Sequence, residues 1–218
     1  MPAQYEQTKK RLDDSIQILW DKIREDFDFD GADEPTSQEE IRNWLNNNNP
    51  KNADLILQLT RLDLSGLELT NLVPEIGRFD KLESLELWGN RLTSIPNAIG
   101  NLTQLKHLLI EDNELESIPE TIGNLVQLEY LELGANRLES LPETIGNLTH
   151  LKTLCIEDNR LASLPETIGN MAQLERFDLR NNKLKSLPET IRNLPHLNNL
   201  VLEGNPLSTE SSGFCTIF

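Results

Sequence analysis

Residues 82–104 read LESLELWGNRLTSIPNAIGNLTQ, and the chain repeats this pattern at a fixed distance. Later copies, each 23 residues after the last, start at Leu105, Leu128, Leu151 and Leu174, and a partial copy starts at Leu197. A segment from Leu59 fits the same frame, although Leu67 stands where the other units have asparagine and the proline is displaced to Pro74. Self-similarity at such a period is typical of repeat architectures. The repeat therefore determines the fold.

The first half of each unit alternates apolar and polar residues, as a half-buried strand does. In the unit that starts at Leu128, we expect Leu131 and Leu133 to point inward. Tyr130 and Glu132 should then point outward. One unit of 23 residues cannot bury its apolar positions alone, so stacking on neighbouring units must complete the core.

The pattern LxxLxLxxNxL, followed by a loop and a return segment, resembles the leucine-rich repeat over residues 59–207. The resemblance implies an α/β solenoid, a leucine-rich-repeat horseshoe with a parallel β-sheet on its concave face. The chain would carry seven units, the first degenerate and the last partial. Asparagine recurs where the chain leaves each strand, at positions 90, 113, 136, 159, 182 and 205. Because its amide both donates and accepts hydrogen bonds, we expect a structural ladder there.

Residues 1–58 are interpreted as an N-terminal helical cap. Apolar residues at helical spacing predict a long first helix: Leu12, Ile16, Leu19, Trp20, Ile23 and Phe27. Ser37 to Glu40 resembles a capping box before a second helix, and KNADLILQ predicts a third at 51–58. Residues 39–69 resemble the helical segment before the repeats in effectors of intracellular bacterial pathogens. The alternative is a partner-binding segment like that of F-box adaptors, although no LP-initiated F-box pattern is present.

The outward strand positions predict a binding surface on the concave face. Four apolar or aromatic side chains forced outward by the register are candidate anchors: Trp88, His107, Leu109 and Tyr130. An acidic row crosses the same face at Glu86, Glu111, Asp112, Glu132, Glu157 and Asp158. Arg176 and Arg180 reverse the sign of the charge near the C-terminal end. A basic protein partner would relieve the repulsion within the acidic row, and a merely solvated acidic face is the alternative.

Composition argues against several classes of function. With 36 acidic and 20 basic residues the formal net charge is −16, which disfavours nucleic-acid binding. No secretory signal or transmembrane segment is visible, which favours a cytosolic protein. The histidines at 107, 150 and 196 lack metal-ligand spacing, and no glycine-rich phosphate loop is present. Cys155 is predicted to point outward without a nearby histidine. We therefore expect no enzyme, metal or cofactor, and a monomer.

The last residues, STESSGFCTIF at 208–218, predict a flexible tail. Cys215-Thr216-Ile217-Phe218 fits the C-a-a-X motif, and phenylalanine in the last position favours geranylgeranylation by a host prenyltransferase. Residues 197–214 contain no lysine, arginine or second cysteine. Because stable anchoring usually takes two signals, we expect reversible membrane association.

The sequence thus favours a non-catalytic protein-interaction module. The leading hypothesis is a bacterial effector that is lipidated at Cys215 and recruits or masks a host protein at the cytosolic face of a host membrane. One alternative is a cytosolic inhibitor or regulator of a phosphatase or small GTPase, without lipidation. Another is a ubiquitin-ligase adaptor that uses the N-terminal helices.

Overall fold

A computed structural model of the chain describes residues 14–24, 35, 37–46 and 59–208. Within these ranges, seven strands form one parallel sheet in the order of the sequence. They are β1 (Arg61–Asp63), β2 (Ser84–Glu86), β3 (His107–Leu109), β4 (Tyr130–Glu132), β5 (Thr153–Cys155), β6 (Arg176–Asp178) and β7 (Asn199–Val201). The predicted solenoid with a parallel sheet is confirmed.

Each strand pairs with the next at the same point of the repeat. Leu85 of β2 lies opposite Leu108 of β3, which lies opposite Leu131 of β4. These three central side chains have no exposed surface, while the residues on either side of them face out of the core. The alternation predicted for Leu131 and its neighbours is therefore confirmed.

The return segments form single-turn 3-10 helices on the opposite side of the core. They are Pro74–Arg78, Asn97–Asn101, Glu120–Asn124, Glu143–Asn147, Glu166–Asn170 and Glu189–Asn193. Glycine in these turns allows neighbouring units to approach closely. A Cβ atom added to Gly100 would lie 2.6 Å from the backbone oxygen of Thr121 in the next unit. In the sixth unit Arg192 replaces this glycine.

The asparagine ladder links each unit to the one before it. The Asn136 side-chain amide donates to the carbonyl oxygens of Ile110 at 3.0 Å and Leu133 at 3.1 Å. Its Oδ1 accepts from the Leu115 backbone N–H at 3.0 Å. Asn90, Asn113, Asn159, Asn182 and Asn205 make equivalent bonds. These amides satisfy backbone groups that burial would otherwise leave unpaired, as the sequence predicts.

Two N-terminal helices close the first end of the core. Residues 14–24 are helical (α1), and α2 spans Gln38–Asn46. Ile16 and Leu45 are fully buried in the same apolar core as the repeats. The rings of Trp20 and Trp44 meet edge to face, 4.8 Å apart.

Polar contacts fix the start of α2 and its position against the first repeat. The Glu40 N–H donates to Ser37 Oγ at 3.2 Å, which is one half of the predicted capping box. Arg42 Nη1 lies 2.9 Å from Glu75 Oε1 in the first return turn. The ends of the predicted first helix at Leu12 and Phe27, and the predicted helix at 51–58, lie outside the described residues. The domain boundary at residue 58 stays a prediction.

Candidate functional site

Outward side chains of the sheet form three rows that cross the strands. Because neighbouring strands pair with a fixed offset, the same position of every unit falls in the same row, with steps of about 4.8 Å between strands. The first row contains Arg61, Ser84, His107, Tyr130, Thr153, Arg176 and Asn199. The second contains Asp63, Glu86, Leu109, Glu132, Cys155, Asp178 and Val201. The third contains Ser65, Trp88, Glu111, Gly134, Glu157, Arg180 and Glu203.

The predicted aromatic anchors divide between two of these rows. In the first row the rings of His107 and Tyr130 stack with centroids 4.8 Å apart and planes only 6° from parallel. Trp88 lies in the third row. It follows Ser84, the residue that pairs with His107, by four positions, and four residues of extended chain span roughly 13 Å. Trp88 is 46% exposed and Tyr130 36% exposed, while Leu109 is half-buried in the second row. The candidate anchors are thus divided between the stacked pair in the first row and the separate Trp88 in the third.

A cavity of about 380 Å³ opens on this face beside the stacked rings. It is lined by Glu111, Tyr130, Glu132, Gly134, Thr153, Cys155, Glu157 and Arg176. Its depth depends on Gly134, because a Cβ atom there would lie 2.9 Å from the carboxyl carbon of Glu157. Because Gly134 has no side chain, the Glu157 carboxyl group can lie beside it in the third row.

Two carboxyl groups in the cavity, Glu111 and Glu157, have a pKa above the usual value. Burial, followed by the hydrogen bond and the charge of Glu132, raises the pKa of Glu111 to about 7. Burial also raises the pKa of Glu157. The Oε2 atoms of Glu111 and Glu157 are buried, and neither has a hydrogen-bond partner within the described part of the chain. Leaving such groups unpaired costs free energy, so a cation that reached them would be bound favourably.

The predicted acidic row is shorter in the structure than in the sequence. Glu86 forms an ion pair with Arg61 at 2.5 Å. Asp112 and Asp158 lie in turns with φ near 55°, beyond the three rows. Asp158 also accepts a hydrogen bond from Asn181 Nδ2 at 2.8 Å.

The two arginines are held by a carboxylate that the sequence did not single out. Asp178, which has no exposed surface, accepts from Arg180 Nε at 2.9 Å and Nη2 at 2.8 Å and from Arg176 Nη2 at 3.3 Å. Burial by itself would raise the pKa of Asp178, but the hydrogen bonds from Arg180 outweigh it and hold the pKa below its usual value. The run RFDLR, with arginine two residues on each side of the aspartate, was the available signal.

Cys155 differs from its prediction. It belongs to an outward row, but surrounding side chains leave it only 9% exposed. Burial, with the charges of Glu157 and Glu132, raises the pKa of its thiol to about 11. A nucleophilic cysteine needs a lowered pKa, so this thiol is not activated. Among the described residues, no group of three or more histidine, cysteine or acidic side chains could hold a metal ion.

Other predicted features lie away from these rows. His150 Nδ1 lies 2.9 Å from the carbonyl oxygen of Val126, in the loops that precede the strands. Cys215 and the rest of 209–218 are outside the described residues. No helix in the described ranges has the length and apolar character needed to cross a membrane.

Comparisons with solved structures find the same architecture in two plant receptors. The plant peptide hormone receptor RGFR1, solved in complex with RGF2, is 38% identical with a TM-score of 0.65, over 72% of this chain and 27% of the receptor chain. The ectodomain of the Arabidopsis thaliana receptor kinase GASSHO1/SCHENGEN3, solved with CASPARIAN STRIP INTEGRITY FACTOR 2, is 36% identical with a TM-score of 0.62, over 72% of this chain and 19% of that chain. A leucine-rich-repeat protein of Leptospira interrogans is 25% identical with a TM-score of 0.45, over 75% and 59% of the two chains. The chain thus spans less than two thirds of each of these structures.

A comparison with curated proteins gives no match. The family model described as a leucine-rich repeat region matches twice, at residues 38–136 and 115–214. Together these matches span most of the chain and include all seven strands. The chain therefore belongs to the leucine-rich-repeat family.

Proposed function

We propose that this protein is a non-catalytic interaction module that binds a protein or peptide on its concave face. The observation that carries the proposal is the cavity beside the His107–Tyr130 stack, where two buried carboxyl oxygens have no partner among the described residues. A basic group of a partner would supply the missing hydrogen bonds and cancel charge. The two plant receptors solved with their ligands support a binding role for this fold.

Contact with the partner would be shared among three regions of the face. Tyr130, stacked on His107, and the separate Trp88 are the aromatic anchors, with Leu109 between them. Basic groups of the partner would meet Glu111, Glu132 and Glu157, and to a smaller extent Glu86, which already pairs with Arg61. Arg176 and Arg180, oriented by Asp178, would face acidic groups of the same partner.

Affinity capture from host cytosol tests this proposal. We expect the wild-type chain to retain a partner that Trp88→Ala and Tyr130→Ala lose. Val126→Ala is the matched control, because Val126 is 42% exposed but lies outside the three rows. With the purified partner, each anchor substitution should weaken Kd by about tenfold or more, which is about 1.4 kcal/mol. Equal capture by all four proteins would contradict a concave binding site.

We also propose that geranylgeranylation of Cys215 by a host enzyme places this module reversibly on a host membrane, as in a bacterial effector. The C-a-a-X pattern at 215–218 and the resemblance of residues 39–69 to such effectors support this. The proposal requires Phe218 to be the natural C-terminus. Incubation with a type I geranylgeranyltransferase and geranylgeranyl diphosphate should add one lipid, measured by intact mass. Cys215→Ser should remove both the added mass and the membrane fraction.

The alternative hypotheses make different predictions in the same experiments. A cytosolic phosphatase or GTPase regulator would keep its partner and its location after Cys215→Ser. A ubiquitin-ligase adaptor would retain cullin-linker proteins on its N-terminal segment. The burial of Ile16, Leu19 and Ile41 against the repeats supports a cap rather than an adaptor, because those apolar faces are already occupied.

A further inference from the structure

Three carboxyl groups from neighbouring units surround Gly134 on the concave face. Glu111 and Glu157 occupy the third-row positions on either side of Gly134, and Glu132 lies two residues before it on β4. All of them line the cavity of about 380 Å³. Two steps of the sheet place the backbones of Glu111 and Glu157 roughly 10 Å apart, with a glycine at the position between them. The cavity therefore has room for a compact head group within reach of more than one carboxyl group.

Buried polar atoms of this cavity lack hydrogen bonds within the chain. The Oε2 atoms of Glu111 and Glu157 are buried and unpaired among the described residues. Cys155, only 9% exposed, also lines the cavity, and its sulfur makes no hydrogen bond within the described ranges. Carboxylate oxygens accept hydrogen bonds only, so a ligand that completes this cavity must supply donors.

The basic side chain that lines the cavity is bonded to another carboxylate. Arg176 Nη2 lies 3.3 Å from Asp178 Oδ2, and Arg180 Nη2 lies 2.8 Å from the same atom. The hydrogen bonds from Arg180 hold the pKa of Asp178 below its usual value, so Asp178 stays ionised and keeps both arginines. The chain thus directs these arginines to Asp178 and leaves the Oε2 atom of Glu157 to a ligand.

The arrangement of the acceptors distinguishes between the two basic side chains that a partner can offer. A guanidinium group is a planar fork that matches the two oxygens of one carboxylate, whereas an ammonium group is compact and has three donors. Here the acceptors belong to carboxyl groups of three different units, grouped around Gly134. Tyr130 also lines the cavity, and its ring offers an apolar surface to the methylene stem of a lysine. These features favour an ammonium group.

From the grouped acceptors and the unpaired oxygens, we infer that this cavity is a subsite for one unmodified lysine side chain of the partner. The lysine ammonium donates to Glu111, Glu132 and Glu157, and its stem lies along the ring of Tyr130. Acetylation of that lysine removes its charge and leaves a single donor, so the subsite rejects the acetylated form. This inference rests on the proposed binding function of the concave face and names the group that is bound there.

Binding of the ammonium group is coupled to the ionisation of Glu111. Burial, followed by the hydrogen bond and the charge of Glu132, raises the pKa of Glu111 to about 7, and the charge of Glu157 adds to this. The titratable groups on this part of the face are Glu86 on β2, His107 on β3, Tyr130 and Glu132 on β4, Cys155 and Glu157 in the unit of β5, and Arg176 on β6. A nearby cation favours the ionised carboxylate. The affinity for lysine therefore increases as the pH rises through about 7.

Titration of the full chain with Nα-acetyl-lysine methylamide, followed through the NMR amide signal of Gly134, tests this inference. The lysine probe should bind at least about tenfold more tightly than its Nε-acetylated form, which lacks the charge. It should also bind at least about threefold more tightly than Nα-acetyl-arginine methylamide. Between about pH 6 and pH 8 its affinity should rise by up to about tenfold, because the ionised fraction of Glu111 limits the apparent affinity.

Substitutions in the cavity separate this subsite from the general negative charge of the face. Glu157→Gln should weaken binding of the lysine probe by about tenfold. Gly134→Ala should weaken it as well, because the added Cβ atom would lie 2.9 Å from the Glu157 carboxyl carbon and displace that group. Glu203→Gln is the matched control, since it removes one carboxylate from the third row outside the cavity. Glu111→Gln should abolish the rise of affinity with pH.

Three results would overturn this inference. They are equal affinity for the lysine probe and its acetylated form, tighter binding of the arginine probe, and a wild-type affinity that does not change with pH. None of these experiments contains a partner, so they are independent of the proposed function. If the lysine probe fails while Trp88→Ala still loses a captured partner, the concave face binds and the lysine subsite is wrong. If the probe binds but capture is equal for all variants, the proposed function is wrong instead.

Discussion

From one unit to the next, the sequence of the outer turns changes little, whereas the third row of the concave face changes strongly. Three successive return turns carry the same five residues, ETIGN. The third row changes in chemical character at almost every step, from serine to tryptophan, glutamate, glycine and arginine. The outer turns contact the neighbouring units, so the same packing problem recurs in each unit. The concave rows meet solvent, so they are free to differ, and a partner can be recognised there.

This comparison predicts that substitutions in the repeated part lower stability, whereas substitutions in the variable part change binding. The largest effect is expected at the buried centre of a strand. Leu131→Ala should lower the free energy of unfolding by about 3 kcal/mol, from lost burial and the cavity left behind. Urea unfolding measures this, with Glu143→Gln on an exposed outer position as the control. A loss below about 1 kcal/mol would show that the central strand residues are not the main source of stability.

The asparagine ladder should give the next largest effect. Asn136→Ala removes bonds to the carbonyl oxygens of Ile110 and Leu133 and to the N–H of Leu115. With these backbone groups left buried and unpaired, the free energy of unfolding should fall by about 2 kcal/mol. Asn205→Ala, where the ladder is only part-buried, should cost less in the same urea titration. If the two substitutions cost the same, burial of the ladder is not what matters.

The aromatic anchors should show the opposite behaviour to the core. Because Trp88 and Tyr130 are substantially exposed, replacing either with alanine should change the free energy of unfolding by no more than about 1 kcal/mol. For Tyr130 part of that change is the lost stacking on His107. Thermal and urea unfolding of both variants measure it. A large loss of stability would assign these rings to the core and remove the contrast between the two regions.

The last prediction concerns the dependence of stability on pH at Glu111. Its pKa rises from 4.5 to about 7 on folding, so between these values the native state keeps a proton that the unfolded chain has released. Stability should therefore fall as pH rises through this window and level off above pH 7. Glu111→Gln should flatten the curve between pH 5 and 8. The flattening is incomplete, since Glu157 also has a raised pKa. Parallel curves for the two proteins would contradict a buried, protonated Glu111.

The sequence predicts the backbone of this protein better than its binding face. The period, the strand at each LxL segment and the asparagine ladder follow from inward and outward alternation, which is local and recurs in every unit. The arrangement on the concave face depends on contacts between residues of neighbouring units, such as His107 with Tyr130, 23 positions apart, and Arg61 with Glu86, 25 positions apart. Side-chain conformation decides those contacts, and a repeat pattern carries no information about it.

Cys155 and Asp178 illustrate this limit. Both occupy positions that alternate outward, yet both are buried. Asp178 is bonded to Arg176 and Arg180 of its own unit. The ion pairs of Asp178 could be predicted in part from the sequence, because an arginine lies two residues before it and another two residues after it. Nothing in the alternation distinguishes a covered outward position such as Cys155 from an open one such as Tyr130.

The glycine that recurs in the first five outer turns has a consequence for the curvature of the molecule. Hydrogen bonds of the sheet set the distance between units on the inner side, while contacts such as that of Gly100 with Thr121 set it on the outer side. The ratio of these two distances fixes the radius of the arc. Replacing these five glycines by alanine would lengthen the outer distance alone and bend the arc more tightly. The width of the face offered to a partner can thus be tuned by residues that the partner never touches.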